Sequence, residues 1–470
     1  MKGDGSVSTK ELTKTAAARR KADPTSLTSA LKYGGPIVWA SCLIMGLGNF
    51  AAGQLIKGLI VLAIEIGFIA FMVLPNAGGF HWLGLLPSLG DRLTEEVWND
   101  DIGAYEYVQG DNSQQILLYA VATMVAIVVF VIVWRASIRS GYMALCKKKA
   151  GKKVPTFVDD LKALLDENIH KFLMMPPFVM LTIFTIVPLV YMMLMAFTNY
   201  SKVGDHLTLF DWVGLENFIS IFDSSSALGR QFFPVLGWTL IWAFFATFLN
   251  FFAGTIMAMI INRPTTRLKG LWRGVLSLTI AVPQFVSLLI IRTMFKTEGA
   301  INQLLIDWGL IETALPFFTD ATWARVTIIV INMWVGIPYT VMSVTGILQN
   351  IPAEQYEAAR IDGANTYQQF KNITLPYMIF VMTPTIISSF TGNINNFNII
   401  YLLSGGGPTY VGDSAGQTDL LVTWLYKLTI DNQQYNLAAV IGIMTFVVLA
   451  TVALITYRNS GSYKDEEGFK

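Results

Sequence analysis

The chain has 470 residues, of which 53% are hydrophobic and 14% are charged. With a mean hydropathy of +0.51 it would be insoluble as an ordinary globular protein, so the composition indicates a membrane protein. The formal net charge of +1 says little, and two cysteines, Cys42 and Cys146, predict no disulfide framework.

The N-terminal region combines a polar tail with two apolar stretches. Residues 1–32 are rich in Lys, Ser and Thr and predict a cytoplasmic tail. Residues 55–74 are long enough for a transmembrane helix, whereas 36–50 is short and glycine-rich, as expected of a re-entrant or interfacial piece. Glu65 lies inside the first predicted span; a carboxylate there is a functional candidate, although a helix-packing role is favoured. No cleavable signal peptide is evident.

Seven further apolar segments are long enough to cross a membrane, which predicts an all-α polytopic protein with about eight transmembrane helices. They are 116–134, 172–197, 232–261, 275–295, 326–348, 377–403 and 437–457.

The distribution of charge sets the orientation. The loop 75–115 is acidic and has no lysine, whereas a basic run from Arg135 to Lys153 follows the second span. Because basic loops stay in the cytoplasm, this pattern predicts that both termini are cytoplasmic. We expect the basic run to be solvated and to face lipid headgroups. Nucleic-acid binding is not indicated.

A polar, amphipathic stretch at 352–376 separates the sixth and seventh spans. Pro352 and Glu354 favour the start of a short helix, and Gly363 predicts a bend, because glycine tolerates backbone angles that other residues avoid. A second short helix is expected at 366–370. The apolar side of the stretch consists of Tyr356, Ala359 and Ile361. It reads as a cytoplasmic contact surface, or alternatively as an ordinary connector.

Two polar faces on neighbouring spans predict the solute path. On the sixth span the residues are spaced i, i+3, i+4 and i+7, and on the seventh they are spaced i, i+4 and i+7, so each set shares one helical face. They are Asn332, Val335, Gly336 and Tyr339, and Ser389, Asn393 and Asn396. The spacing leaves two interpretations open, a shared wet cavity or hydrogen bonding between helices.

Three motifs of the polar stretch resemble the EAA loop of ABC importer permeases: Glu357-Ala358-Ala359, Asp362-Gly363-Ala364 and Ile373-Thr374-Leu375-Pro376. From about 172 to 458 the chain resembles the MalF-like sugar permeases, of the binding-protein-dependent transport inner-membrane component family. The resemblance implies the ABC type I importer permease fold, in which this loop seats in a cleft of the ATPase subunit. It implies that Glu357 faces a basic group there.

The resemblance also implies a domain organisation and a site. An accessory membrane region (33–170) would precede a permease core (171–458) and a cytoplasmic tail (459–470). The segments INMWVGIPY and SSFTGNINNF match those that line the maltodextrin site, which implies contacts from the seven residues of the two polar faces. On the fifth span Ile280 and Gln284 stand where maltose-type permeases have tyrosine and serine, which leaves room for another oligosaccharide; Gln284 is a weak candidate.

The implied function is a non-catalytic permease subunit of an oligosaccharide importer in the bacterial cytoplasmic membrane. The implied partners are a MalG-like sister permease, two ATPase subunits that bind ATP and Mg²⁺, and an external sugar-binding protein. The outer loop at 198–230 is short, so contacts to that binding protein would fall to smaller loops. The chain itself has no Walker A loop, and its three histidines are scattered, so no cofactor or metal site is expected. Rival readings are a stand-alone secondary transporter and a membrane enzyme acting on lipid-linked sugars.

Overall fold

The structure is a computed structural model that describes residues 25–90, 93–100, 102–108, 110–263 and 265–458, without the side chain of Tyr457. The predicted C-terminal tail and most of the N-terminal tail lie outside the described residues. The chain divides into two compact units: residues up to 194 with 206–212, and residues 195–205 with those from 213 onward.

Seven helices in the described part of the chain are long and apolar enough to cross a membrane, and one bent pair of helices would be an eighth span. The prediction of a helical protein with about eight spans is confirmed. The seven are α4 (Leu55–Val73), α6 (Ser113–Lys149), α8 (Ile169–Met195), α10 (Ala227–Asn262), α14 (Ala321–Gln349), α16 (Thr366–Ile394) and α19 (Tyr435–Arg458). The bent pair is α11 (Lys269–Ala281) and α12 (Gln284–Met294).

The remaining elements are short. In the first unit they are α1 (Leu27–Tyr33), α2 (Gly35–Ala40), α3 (Leu47–Ala52), α5 (Gly79–Leu85), β1 (Glu95–Asn99), β2 (Ala104–Val108) and α7 (Phe157–Leu165). In the second unit they are α9 (Glu216–Ile219), α13 (Ala300–Asp307), α15 (Ala353–Ile361), α17 (Phe397–Leu403) and α18 (Leu421–Ile430).

The glycine-rich stretch at 36–50 belongs to two six-residue helices, α2 and α3, rather than to one span. Gly46 ends the link between them with a φ of +89°, a backbone angle that favours glycine. The buried Glu65 carboxylate accepts a hydrogen bond from the Met45 backbone N–H at 2.7 Å. This carboxylate therefore fastens the link to α4, which is a packing contact.

The predicted loop 75–115 contains a hairpin that the sequence analysis did not anticipate. Strands β1 and β2 pair antiparallel, with Trp98 opposite Tyr105 and their rings 5.1 Å apart. Gly103 has a φ of +61° at the end of the connecting turn. Val97 and Trp98 before this turn and Tyr105 and Tyr107 after it are β-branched and aromatic residues, which are enriched in strands, so the hairpin could have been predicted from the sequence.

Helix α6 is much longer than the predicted span 116–134. It continues to Lys149, so that three lysines lie in its last turn, where cations complement the helix dipole. Gly141 packs directly against Gly48 of α3, and a Cβ atom on either residue would lie 3.1 Å from the Cα of the other. The helix therefore carries its basic residues beyond the apolar segment without a break.

The span predicted for 275–295 consists of two helices rather than one. Helices α11 and α12 meet at an angle of 90°. Val282 and Pro283 between them have extended backbone, with ψ values of 128° and 126°. A proline disfavours the helical conformation of the residue before it, so Val282 ends the first helix.

The seventh span also differs from its prediction. Helix α16 begins at Thr366, so the second short helix of the polar stretch continues into the span through a π-helical turn at Phe370–Thr374. It ends at Ile394 instead of continuing to Leu403. Asn396 starts a separate helix, α17, because its side-chain oxygen accepts a hydrogen bond from the Ile399 backbone N–H at 3.4 Å.

A buried ion pair organises the loop between α17 and α18. Asp419 is fully buried and lies 2.6 Å from the Lys427 ammonium. The same carboxylate accepts hydrogen bonds from the Gly416 backbone N–H and the Thr423 hydroxyl, at 2.6 and 2.8 Å. Helix α18 was not predicted, because its apolar segment of ten residues is too short to read as a span.

We expect Lys427→Met to destabilise the second unit by about 3–5 kcal/mol, because the substitution leaves the Asp419 carboxylate buried without its cation. The measurement is the midpoint of thermal unfolding in detergent. Lys202→Met removes an exposed charge from the same unit and should leave the midpoint unchanged. The double variant Asp419→Asn/Lys427→Met should recover part of the loss. An unchanged midpoint for Lys427→Met would contradict a stabilising ion pair.

Candidate functional site

The second unit contains a cavity of about 210 Å³ among helices α10, α14 and α16. Its lining residues come from these helices alone and include no ionisable carboxylate, amine, guanidinium or imidazole. They are Ala246, Thr247, Asn250, Phe251, Gly336, Tyr339, Thr340, Ser343, Met382, Thr385, Ile386, Ser389 and Asn393. The cavity can therefore bind a neutral, hydroxyl-rich solute through amide and hydroxyl groups.

Two close approaches between α10 and α14 form one wall of the cavity. A Cβ atom on Gly336 would lie 2.1 Å from the Asn250 amide nitrogen, and one on Gly254 would lie 2.5 Å from the Thr340 side chain. Small residues let membrane helices approach closely and pack. The Asn250 side chain thus fills the space over Gly336. Asn250 was not among the predicted site residues.

The Asn250 side chain uses its amide nitrogen in a hydrogen bond within its own helix, and its amide oxygen is unpaired. Its side-chain nitrogen donates to the Ala246 carbonyl at 2.7 Å. Its oxygen is buried and has no hydrogen-bond partner among the described residues. A buried acceptor without a partner is costly, so a hydroxyl donor that reached it would be held firmly.

Four hydroxyl groups line the cavity without a hydrogen-bond partner in the described part of the chain. They belong to Tyr339, Ser343, Thr385 and Ser389. Helical Ser and Thr side chains often bond the carbonyl four residues back, as Thr340 does with Gly336 at 3.3 Å. These four hydroxyls remain able to bond a solute. The ring of Tyr339 is 54% exposed and presents a flat apolar face.

Asn393 lines the cavity near the end of α16, and both the nitrogen and the oxygen of its side chain form hydrogen bonds. Its nitrogen donates to the Thr247 hydroxyl at 3.0 Å, and its oxygen accepts from the Asn396 amide at 3.2 Å. Its backbone carbonyl accepts from the Trp242 indole N–H at 3.1 Å. Asn393 therefore joins α10 to the end of α16 as well as lining the cavity.

The structure brings four of the eight predicted binding residues together: Gly336, Tyr339, Ser389 and Asn393. The other four do not line this cavity. Asn332 is buried, with its amide 3.5 Å from the Ala246 carbonyl, and Val335 packs on an apolar cluster. Asn396 caps α17, and Gln284 is exposed at the start of α12.

The cavity also has polar lining residues that the sequence analysis missed. Thr247 and Asn250 are three residues apart on α10, Ser343 is four residues after Tyr339, and Thr385 is four residues before Ser389. Thr340, four residues after Gly336, is a fifth such residue. The intervals on α14 and α16 repeat the helical spacing of the predicted faces, so extending each face by one turn would have found three of the five. Thr247 and Asn250 lie on α10, a third helix, for which no polar face was predicted.

The polar stretch between α14 and α16 forms an exposed surface. Glu357, Ala358, Asp362 and Gly363 are exposed, and Gly363 has a φ of +80° in the turn after α15. The predicted apolar side is divided, because Tyr356 and Ala359 are half-buried whereas Ile361 is 87% exposed. Ile361 is the last residue of α15 and lies on the exposed side of the helix. We call the exposed side of residues 353–365 the loop surface.

The loop surface is joined to the cavity through one helix. The Tyr356 hydroxyl lies 2.8 Å from the hydroxyl of Thr374, which is buried near the start of α16. The same helix carries Thr385, Ser389 and Asn393 along its length. The Tyr356–Thr374 hydrogen bond therefore connects the loop surface directly to the helix that lines the cavity.

A helical membrane bundle with an uncharged, hydroxyl-lined cavity and an attached polar loop defines the chain as a solute permease. The chain belongs to the family described as binding-protein-dependent transport system inner membrane component, which matches residues 250–461. The expected family is thereby confirmed, and the chain is a multi-span permease of an inner-membrane transport system.

Relatives match most of the chain. The galactooligosaccharides transport system permease protein GanP of Bacillus subtilis is 34% identical and the match covers 90% of this chain and 97% of GanP. The maltodextrin transport system permease protein MalC of Streptococcus pneumoniae is 34% identical over 90% of this chain and 96% of MalC. MalF of Escherichia coli is 35% identical over 52% of this chain and 48% of MalF.

A solved structure shows the same fold. The crystal structure of a bacterial ABC transporter involved in the import of the acidic polysaccharide alginate aligns with a TM-score of 0.51 and 22% identity. The alignment covers 63% of this chain and 96% of that chain. The fold of an ABC importer permease is therefore the fold of this chain.

We expect Gly336→Ala to destabilise the protein by about 1–3 kcal/mol, because the added methyl group must displace the Asn250 amide. The test is a double-mutant cycle with Asn250→Ala, measured as thermal unfolding in detergent. The double variant should be more stable than the sum of the single losses predicts, by about 0.5–3 kcal/mol. Gly392→Ala, on open helix surface, is the matched control. Strict additivity would show that the two residues do not compete for space.

Proposed function

We propose that the chain is one of two permease subunits of an ATP-driven importer that moves neutral oligosaccharides across the cytoplasmic membrane by alternating access. The observation that carries this proposal is the set of four unpartnered hydroxyls in an uncharged cavity. Polar groups inside a membrane bundle are costly unless they face water or a partner. Sugar hydroxyls are suitable partners, since each can both donate and accept.

The lining favours a neutral sugar. No cation lines the cavity to balance a carboxylate, which argues against an acidic substrate such as the alginate of the structural neighbour. We place maltose and maltodextrins first, because several relatives are maltodextrin permeases, and galactooligosaccharides second. The exposed Tyr339 ring offers a surface on which the apolar face of a sugar can stack.

The cavity volume supports a two-subunit pathway. Ligand sites usually have volumes of about 300–1,000 Å³, whereas the cavity among α10, α14 and α16 has a volume of about 210 Å³. An oligosaccharide therefore needs walls from a second subunit, for which a MalG-like sister permease is our proposal. Four predicted residues lie outside this cavity, and we propose that they contact the sugar in another state of the transporter, in which the path is wider. They are Asn332, Val335, Asn396 and Gln284.

The loop surface is the proposed docking site for the ATPase subunits. Glu357 is exposed and has no ion pair among the described residues, so its carboxylate is available to a basic group on a partner. Ala358 and Ala359 permit close approach, and Gly363 and Asp362 form the turn behind them. Two ATPase subunits would bind ATP and Mg²⁺, so this chain would need no cofactor and would catalyse no reaction itself.

The proposed orientation places both termini and the loop surface in the cytoplasm, where a pool of ATP is present. Lys147, Lys148 and Lys149 at the end of α6 would then face anionic lipid headgroups on the inner side. The opposite ends of the spans would receive sugar from an external binding protein. Closing of the ATPase pair would drive the loop surface and turn the bundle outward, and hydrolysis would reset it.

We expect Ser389→Ala to raise the sugar concentration for half-maximal transport by about 2- to 10-fold, as for the loss of one net hydrogen bond. Thr385→Ala should act similarly. The measurement is uptake of labelled malto- and galactooligosaccharides into proteoliposomes that contain the complete importer. Ser388→Ala, one position away from the lining, is the matched control. An equal response of Ser388→Ala and Ser389→Ala would contradict a sugar site in this cavity.

We expect Glu357→Lys to reduce sugar-driven ATP turnover at least tenfold, because it places a cation against the basic group proposed on the ATPase. The same charge change at Glu354, in the first turn of α15, should have a smaller effect. ATPase activity and co-purification of the ATPase are measured together. Uptake that continues without ATP turnover would contradict the importer and would favour a stand-alone transporter, with Glu65 as the residue to examine.

A further inference from the structure

An apolar groove of about 580 Å³ lies between α10 and α11, away from the cavity described above. Its lining is nearly all hydrocarbon: Ala253, Ile256, Met257, Ile260, Ile261, Thr266, Trp272, Val275 and Leu276. Several of these side chains are about half exposed, among them Ile256, Ile260 and Trp272. The only hydroxyl in the lining, that of Thr266, donates a hydrogen bond to the Ile260 carbonyl. The groove can therefore hold an apolar chain.

A basic turn closes one end of the groove. The sequence from 262 to 283 contains four cationic residues and no Asp or Glu. Two of them are used inside the protein, since Lys269 donates to the Asn262 carbonyl at 3.3 Å and Arg273 donates to the Asn262 side chain. Arg263 and Arg267 are exposed and have no ion pair among the described residues.

The cationic and apolar parts are contiguous. Thr266 lines the groove, and its backbone N–H bonds the Arg263 carbonyl at 3.1 Å in the turn that also brings in Arg267. This turn follows the last residue of α10, a membrane span, so it lies at a membrane surface. Trp272 lines the groove one turn into α11, at the depth where indole rings gather in membrane proteins.

We infer that this groove and turn form a binding site for one anionic phospholipid. Its phosphate would be held by Arg263 and Arg267, and an acyl chain would fill the groove beside Ile256 and Ile260. Basic pockets between membrane helices on the cytoplasmic side are suited to anionic headgroups. Two exposed arginines without any acidic neighbour in the segment match a phosphate better than they match the neutral surface of another membrane helix.

The bound lipid would stabilise the bent pair. Helix α11 ends at the 90° break before Pro283, and the break removes the backbone continuity that would otherwise set its angle. An acyl chain wedged between α10 and α11 would support α11 from its open side. Lipid binding in this groove does not depend on which solute the protein transports.

The experiment uses the full-length protein, with the subunits that accompany it, in nanodiscs of equal parts phosphatidylglycerol and phosphatidylcholine. Lipids that stay bound after mild detergent extraction are counted by native mass spectrometry. We expect one phosphatidylglycerol per chain in the wild type and at least a tenfold loss of it in Arg263→Gln/Arg267→Gln. Lys202→Gln/Lys296→Gln removes the same charge from two exposed positions outside the groove and the turn, and should retain the lipid.

A second pair of variants tests the apolar half. Ile256→Trp fills the groove and should displace the lipid. Phe252→Trp places the same indole at an exposed position of α10 outside the groove and should not displace it. Equal retention in Ile256→Trp and Phe252→Trp, or in the two charge variants, overturns the proposal. So does a photoreactive residue at 256 that cross-links to a protein subunit instead of a lipid, which would make the groove a subunit interface.

Discussion

The close approach of α10 and α14 is the constraint on which the cavity depends. At Gly254 and at Gly336 there is no room for a Cβ atom, because Thr340 and Asn250 from the facing helix occupy that space. In a bilayer there is little hydrophobic force between helices, so such backbone proximity must supply much of the association. The two contacts hold α10 and α14 together along the cavity, and the Thr385 and Ser389 hydroxyls of α16 complete the lining.

Helix α16 connects this fixed wall to the surface of the protein. Its first turns are held by the Tyr356–Thr374 hydrogen bond, and its last turn is joined to α10 through Asn393 and Thr247. The π-helical turn at Phe370–Thr374 joins the short helix at 366–369 to the span that follows it, so that α16 is one continuous rod. A rod that is attached at both ends can transmit a displacement of the loop surface to the cavity, which is the mechanical requirement of an energised permease.

The far side of the second unit is held by a different kind of contact. Gln231 of α10 accepts hydrogen bonds from the backbone N–H groups of Ser414 and Ala415, at 2.9 and 2.7 Å. Arg325 of α14 lies 4.9 Å above the Trp238 ring and donates to the Gln417 carbonyl. With the buried Asp419 carboxylate, these contacts attach the loop before α18 to both α10 and α14.

The sequence by itself determined the class of fold, most of the spans, the exposed loop with its glycine bend, and four of the thirteen residues that line the cavity. These depend on hydropathy over about 20 residues, on helical spacing and on local backbone preference, all of which are properties of one segment at a time. Only the tertiary structure decided that Asn250 of a third helix fills the space over Gly336, that Asn332 turns into the packing, and that α11 and α12 meet at 90°. Each of these depends on which side chain a neighbouring helix presents, and that information lies in the packing of distant segments.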